Sequence, residues 1–101
     1  MSKNKATLLI NAKVNKANMA ELPNYLGSVM QIFGQNGGQP IGRFKTTESL
    51  LGENNPEMVA IIEFPNAEVI KNLTKSEEFS ALGELRARVF DDLNMMICEA
   101  M

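Results

Sequence analysis

The chain has 101 residues, and its 10 Lys and Arg against 12 Asp and Glu give a net charge of −2. That charge argues against a basic surface for nucleic acid or for an anionic membrane. With no histidine and a single cysteine, the usual zinc and haem ligand sets are missing, so we expect no metal and no cofactor.

The hydrophobic content of 45% is typical of a globular protein, and the length predicts one domain over residues 1–101. The lone Cys98 has no partner for an internal disulfide, which favours a reducing compartment. No apolar run reaches the ~18 residues of a membrane span. We therefore expect a cytoplasmic protein.

The first half of the chain predicts a strand followed by a helix. Residues 6–14, ATLLINAKV, alternate in polarity as a strand does. Residues 18–35 place apolar side chains at helical spacing, and Pro23 fits only the first turn, so the helix is predicted to start between Met19 and Leu22. The NGG at 36–38 predicts the end of this helix.

The second half predicts two strands, a broken helical region and a last strand. The predicted strands cover residues 39–51 (weakly at the end), 58–64 and 93–100. Asn66 is expected to cap a short helix over 67–73, and Ser76 a second helix that begins at Glu77. The order β-α-β-β-α-β predicts the ferredoxin-like α+β fold: a four-stranded antiparallel sheet with helices on one face and the second helical region broken in two.

Both faces of the predicted sheet carry apolar side chains. In the third strand Ala60 and Ile62 point one way, whereas Val59 and Ile61 point the other. Helices cover one face only, and the chain has no spare segment for the second, so we expect a homodimer packed sheet to sheet. The alternative is a mildly apolar exposed face, since isolated exposed apolar residues are common.

The segment VAIIEFPNAEVIKNLTKSEEFSALGELRARVF resembles the characteristic segment of the domain-of-unknown-function family 1330. The matching features are Glu63-Phe64-Pro65 at a strand end, Ser76 and Phe79 at a helix start, and Arg86 further along. The resemblance implies a dimeric α/β barrel of two ferredoxin-like protomers. It implies no particular reaction, because the family has no agreed one.

Glu63 interrupts an apolar strand, and burying an unpaired carboxylate costs several kcal/mol. Arg86 lies at the edge of the apolar stripe of its helix, so we predict that its guanidinium pairs with Glu63. A structural pair is the favoured interpretation. The alternative is a polar patch in a ligand cavity, because perturbed charge pairs in clefts are often functional sites.

Arg43 belongs to the second strand, which is an edge strand in this fold. A charge there commonly protects an edge from aggregation, and this interpretation is favoured over a cation presented to an acidic ligand. Cys98 is expected in the core, because no histidine is present to activate its thiol.

Two functions from different classes fit these features. The first is a non-enzymatic homodimer that binds an apolar or weakly acidic small molecule, with Arg43, Glu63 and Arg86 as candidate ligand-binding residues. The second is a cofactor-independent oxygenase or isomerase in which Glu63 carries a proton, since a buried Glu can serve as a base. A solvent-accessible cavity beside Glu63 and Arg86 would favour a ligand-binding role for them, and a filled interior would favour a purely structural role.

Overall fold

The computed structural model describes residues 5–101. A 3₁₀ helix over Lys16–Glu21 precedes the first α-helix. The strands and α-helices are, in chain order, β1 (Ala6–Val14), α1 (Leu22–Gln35), β2 (Gln39–Lys45), β3 (Met58–Phe64), α2 (Ala67–Thr74), α3 (Glu77–Ala81), α4 (Gly83–Val89) and β4 (Phe90–Cys98).

The four strands form one antiparallel sheet in the order β2-β3-β1-β4. At the centre of the sheet Leu8 of β1 lies opposite Ile62 of β3 and Ile97 of β4. This order and the placing of the helices on one face confirm the predicted ferredoxin-like α+β fold. The strand order also makes β2 an edge strand, as the sequence predicts.

Helix α1 begins and ends where its local chemistry dictates. Pro23 occupies the first turn, where the missing N–H is not needed, and the predicted start near Leu22 is confirmed. At the other end Gly37 has a φ of +83°, the left-handed conformation that glycine adopts without steric cost. The next residue, Gly38, donates its N–H to the carbonyl of Phe33 at 2.8 Å and turns the chain into β2.

The second helical region has three helices, one more than the sequence predicts. Asn66 Oδ1 accepts from the N–H of Val69 at 3.0 Å, and Ser76 Oγ accepts from the N–H of Phe79 at 3.2 Å, so both predicted caps are confirmed. The additional break falls at Leu82, whose ψ of 3° is not helical, just before Gly83.

Two predicted strands have different bounds in the structure. The strand predicted over 39–51 ends at Lys45, because the chain then enters a loop rich in Gly, Asn and Pro. The strand predicted over 93–100 begins earlier, at Phe90, directly after α4. The start moves because Phe90 pairs with Val14 of the central strand.

One apolar core lies between the helices and one face of the sheet. The inward side chains of β1 are all buried, as are Ala60, Ile62 and Phe64 of β3. The helices contribute Tyr25, Val29, Ile32, Phe33, Ile70, Leu73, Phe79 and Val89. This face is called the inner face below.

The opposite face of the sheet, called the outer face below, carries Leu9 on β1 and Val59 and Ile61 on β3, all partly exposed. No helix of the described chain packs on it, because the helical side chains in the core contact the inner face. Cys98 also lies on the outer face, opposite Thr7, so its expected core position is wrong. Within residues 5–101 no helix is long and apolar enough to cross a membrane.

Candidate functional site

A cavity of about 490 Å³ lies between α1 and the inner face of the sheet. Helix α1 supplies one wall with Tyr25, Val29 and Phe33, and the sheet supplies the other with Ile10 and Ile62. The core is therefore not filled on this side. A volume of this size lies within the ~300–1,000 Å³ that ligand pockets commonly have.

The wall of this cavity is almost entirely apolar. Three methionines contribute to it, Met30 from α1, Met58 from β3 and Met95 from β4. Their unbranched thioether side chains adjust to the shape of a bound molecule more easily than branched side chains do. The chemistry of the wall therefore suits an apolar molecule.

Among the described residues, two side chains of the cavity wall carry a nitrogen or oxygen atom, and Tyr25 is one of them. It is 4% exposed, and its ring meets Phe90 edge to face with the centroids 5.3 Å apart. Its hydroxyl oxygen accepts a hydrogen bond from Arg86 Nε at 3.1 Å. The phenol is therefore held in one orientation by a charged donor.

Arg86 is fixed by helical neighbours and not by a carboxylate. Its Nη2 donates to the carbonyl oxygen of Phe79 at 2.8 Å, and its guanidinium lies 4.0 Å from the centroid of the Phe79 ring. Together with the bond to Tyr25, these contacts join α1, α3 and α4 behind the cavity wall. Stacking on an aromatic ring is a role that Arg fills better than Lys.

The predicted contact between Glu63 and Arg86 is wrong. Glu63 alternates with Ile62 and Phe64, and so its side chain projects from the outer face, while Arg86 lies among the helices on the inner side. Glu63 Oε1 instead accepts from Lys5 Nζ at 3.3 Å, with the glutamate side chain 34% exposed. No buried charge needs a partner there, so the reason for the predicted pair does not apply.

Arg43 is the second polar side chain of the cavity wall, and among residues 5–101 it is the one charged side chain there. It lies opposite Ala60 across the β2–β3 pair, on the inner side of the sheet, and its side chain is exposed at the open edge. The structure therefore separates the three predicted site residues. Arg43 lines the cavity, Arg86 contacts it through Tyr25, and Glu63 lies on the other face.

Charges with a shifted pKa lie away from this cavity. The hydrogen bond from Lys16 lowers the pKa of Glu57, with a further contribution from the N–H of Val14. The bond from Arg88 lowers the pKa of Glu21 in the same way. Both are exposed structural pairs. Within residues 5–101 no cluster of three or more metal-ligating side chains occurs.

The sequence reasoning missed Tyr25 and the methionines of the wall. A signal for Tyr25 was available, because it is the one tyrosine of the chain and falls on the apolar stripe of α1. A buried tyrosine hydroxyl requires a hydrogen-bond partner, and a nearby Arg is a natural one. The cavity itself has no sequence signal, because it depends on how far α1 stands from the sheet.

The fold and the cavity define a small ferredoxin-like α+β protein with an apolar pocket between its first helix and its sheet. The chain belongs to the family described as "Domain of unknown function (DUF1330)", whose model matches residues 7–101. This confirms the resemblance seen in the sequence. No curated protein is similar enough in sequence to match this chain.

Several solved structures share the fold at low sequence identity. A protein of unknown function from Rhodopseudomonas palustris has a TM-score of 0.80 at 14% identity, over 98% of this chain and 84% of its own. A dimeric protein of unknown function with a ferredoxin-like fold from Bacteroides fragilis has a TM-score of 0.68 at 11% identity, over 96% and 97%. SnoaB, a cofactor-independent oxygenase from Streptomyces nogalater, has a TM-score of 0.71 at 12% identity, over 97% and 94%.

Proposed function

We propose that this protein is a non-enzymatic homodimeric module that binds an apolar or weakly acidic small molecule in the cavity between α1 and the sheet. The observation that carries the proposal is the cavity itself, about 490 Å³ inside a protein of only 101 residues. The cavity is open at the β2 edge, so its apolar wall faces solvent and lacks the apolar contacts of a packed core, which is unfavourable. A ligand that fills the space restores those contacts.

The lining supports an apolar ligand with few polar groups. Apart from Tyr25 and Arg43, the described residues of the wall offer no side-chain hydrogen-bonding partner, so a strongly polar molecule would lose its hydration without compensation. Tyr25 already accepts from Arg86, which leaves its own O–H as a donor. A ligand with one acceptor or acidic group and an apolar body matches this wall.

The outer face supports the homodimer. Leu9 on the central strand β1 lies opposite Ile61 on β3 and opposite Met96 on β4, so these three apolar side chains lie side by side on the outer face. A second copy packed face to face would remove this apolar strip from water. The B. fragilis protein of similar fold is described as dimeric, which agrees with such an assembly.

Binding of 2-naphthoate, followed by the shift of the thermal midpoint, tests the proposal. A ligand that binds the folded state alone raises its stability by ~2.7 kcal/mol at a concentration 100 times its Kd. We expect wild type to be stabilised and Met30→Trp, which fills the cavity, to lose the response. Leu50→Trp, on a loop residue that is 89% exposed, is the control and should respond as wild type does. An equal response of Met30→Trp and wild type, or none in wild type, would contradict the proposal.

A cofactor-independent oxygenase or isomerase is the second candidate, and the fold shared with SnoaB favours it. The version with Glu63 as proton carrier has no support in the geometry, because Glu63 is not in the cavity wall and is paired with Lys5. Tyr25 is the side chain of the wall best suited to donate a proton. Oxygen uptake with a bound phenolic ligand, lost in Tyr25→Phe while binding persists, would favour this enzyme over the binding module.

A further inference from the structure

Strand β2 contains a one-residue bulge at Ile41. Pro40 lies opposite Ile62 and Gly42 lies opposite Ile61, so Ile41 between them has no partner in β3. Beyond the bulge the pairing continues regularly, with Arg43 opposite Ala60. An extra residue of this kind shifts the alternation of every side chain that follows it in the strand.

The shift decides on which face Arg43 lies. Continuing the register of Pro40 without a bulge would pair Arg43 with Val59, which lies on the outer face. The bulge instead aligns Arg43 with Ala60, which is 8% exposed on the inner face. The bulge therefore brings the guanidinium to the cavity edge.

The charge of Arg43 is not neutralised within the described part of the chain. Its side chain makes no ion pair or hydrogen bond with residues 5–101, and no carboxylate lines the cavity. A long side chain at such an edge keeps its methylene groups on the apolar wall and its head in water. The cavity thus combines an apolar interior with a cation at its opening that has no ion-pair partner among residues 5–101.

We propose that Arg43, turned inward by the Ile41 bulge, binds the carboxylate of the ligand and so selects apolar monocarboxylic acids over neutral molecules of the same shape. This inference rests on the proposed function and adds the ligand's class and orientation. The acid lies at the β2 edge, where the planar guanidinium can form two parallel N–H···O bonds to it. The apolar body lies between α1 and the sheet.

A matched pair of probes, 2-naphthoate and 2-naphthamide, tests this by calorimetric titration. In Arg43→Gln we expect the affinity for the acid to fall by about tenfold or more, the loss typical of a charge-assisted hydrogen bond. The affinity for the amide should stay nearly unchanged. Lys45→Gln removes the same charge from the same side of β2 and is the control, since Lys45 does not line this cavity. It should leave both affinities near those of wild type.

The double variant Arg43→Gln with Phe44→Arg provides a second test, because it moves the guanidinium one residue along β2 to the outer face, where Phe44 lies opposite Val59. This double variant, with its fold checked by circular dichroism, should bind the acid as weakly as Arg43→Gln does, and acid binding at the wild-type affinity would refute the role of Arg43. If both probes bind wild type and Arg43→Gln weakens neither, the proposed function stands and the role of Arg43 is refuted. If neither probe binds wild type, the proposed function fails and this inference fails with it. If Lys45→Gln loses as much affinity for the acid as Arg43→Gln does, the loss reflects general electrostatic attraction, and the proposed role of Arg43 is also refuted.

Discussion

Arg86 Nε donates a hydrogen bond to the hydroxyl oxygen of Tyr25 at 3.1 Å, and this bond links helix α4 to the wall of the cavity. The same guanidinium donates to the Phe79 carbonyl and stacks on the Phe79 ring. One side chain thus joins three helices and orients the phenol. The contribution of Arg86 to stability therefore comes through Tyr25 and Phe79 and not through Glu63.

Arg86→Leu should lower the free energy of unfolding by about 2 kcal/mol, because it removes charge-assisted hydrogen bonds and the stacking contact. A double-mutant cycle with Tyr25→Phe should give a coupling energy of about 1 kcal/mol, since the two groups are in contact. The measurement is urea unfolding of the four proteins. Additive losses would show that the bond contributes nothing to stability.

The matching cycle between Arg86→Leu and Glu63→Gln should be additive within about 0.5 kcal/mol, because the two side chains lie on opposite sides of the sheet. Glu63→Gln alone should have a small effect, since an exposed pair such as that with Lys5 contributes little. A coupling energy above 1 kcal/mol would restore the pair that the sequence suggested.

The alternation of side chains along β3 already predicts the face on which Glu63 lies relative to its neighbours. Ala60, Ile62 and Phe64 share one face, so Glu63 necessarily lies on the other. The sequence does not show which of two apolar faces the helices cover, and for that reason the predicted partner of Arg86 is wrong. The bulge at Ile41 is a similar case, because a one-residue shift leaves the composition of QPIGRFK unchanged. Strand and helix types follow from periodicity and capping, whereas register and cavity depend on tertiary packing.

Gly38→Ala should destabilise the protein by about 1–3 kcal/mol, the usual cost of forcing extra volume into a packed site. A Cβ at this position would lie 2.8 Å from the carbonyl oxygen of Phe33 and 2.8 Å from the ring of Phe64. Phe64 is 1% exposed and its ring meets Phe33 edge to face with the centroids 5.8 Å apart, so a shift of the ring would disturb the core. Thermal or urea unfolding measures the effect.

Gly27→Ala is the control for Gly38→Ala, because a Cβ there would meet nothing within 4 Å on an exposed position of α1. It should stabilise the protein by about 0.5–1 kcal/mol, the difference between Gly and Ala inside a helix. If the two variants have similar stability, the site around Gly38 accommodates a Cβ and the predicted cost of overpacking is wrong.

Acid should weaken the protein through Glu57. Lys16 and the N–H of Val14 hydrogen-bond to its carboxylate and lower its pKa below the ordinary value of 4.5. A group with a lowered folded pKa adds stability above its unfolded pKa and loses it as the pH falls through the folded value. The thermal midpoint of wild type should therefore exceed that of Glu57→Gln most at neutral pH. This difference should shrink as the pH falls below 4.5 and the carboxylate of Glu57 is protonated.

Glu53→Gln is the control for the acid series, because Glu53 makes no ion pair with the described residues 5–101. Its pH profile should follow that of wild type. A gap between wild type and Glu57→Gln that persists unchanged at low pH would assign the loss to packing of the side chain rather than to its charge.

The homodimer through the outer face is tested by placing a charge at its centre. Ile61 lies opposite Leu9 in the middle of the sheet, so Ile61→Lys would bury an unpaired ammonium group between two copies. Because desolvating such a charge costs several kcal/mol, the dissociation constant should rise by about 100-fold or more. Sedimentation of wild type and variant at micromolar concentrations measures this, and circular dichroism checks that the variant is folded. Ala87→Lys, on an exposed position of α4 on the helical side, should remain dimeric. If wild type sediments as a monomer, or if Ala87→Lys dissociates as readily as Ile61→Lys, the outer face is not the interface.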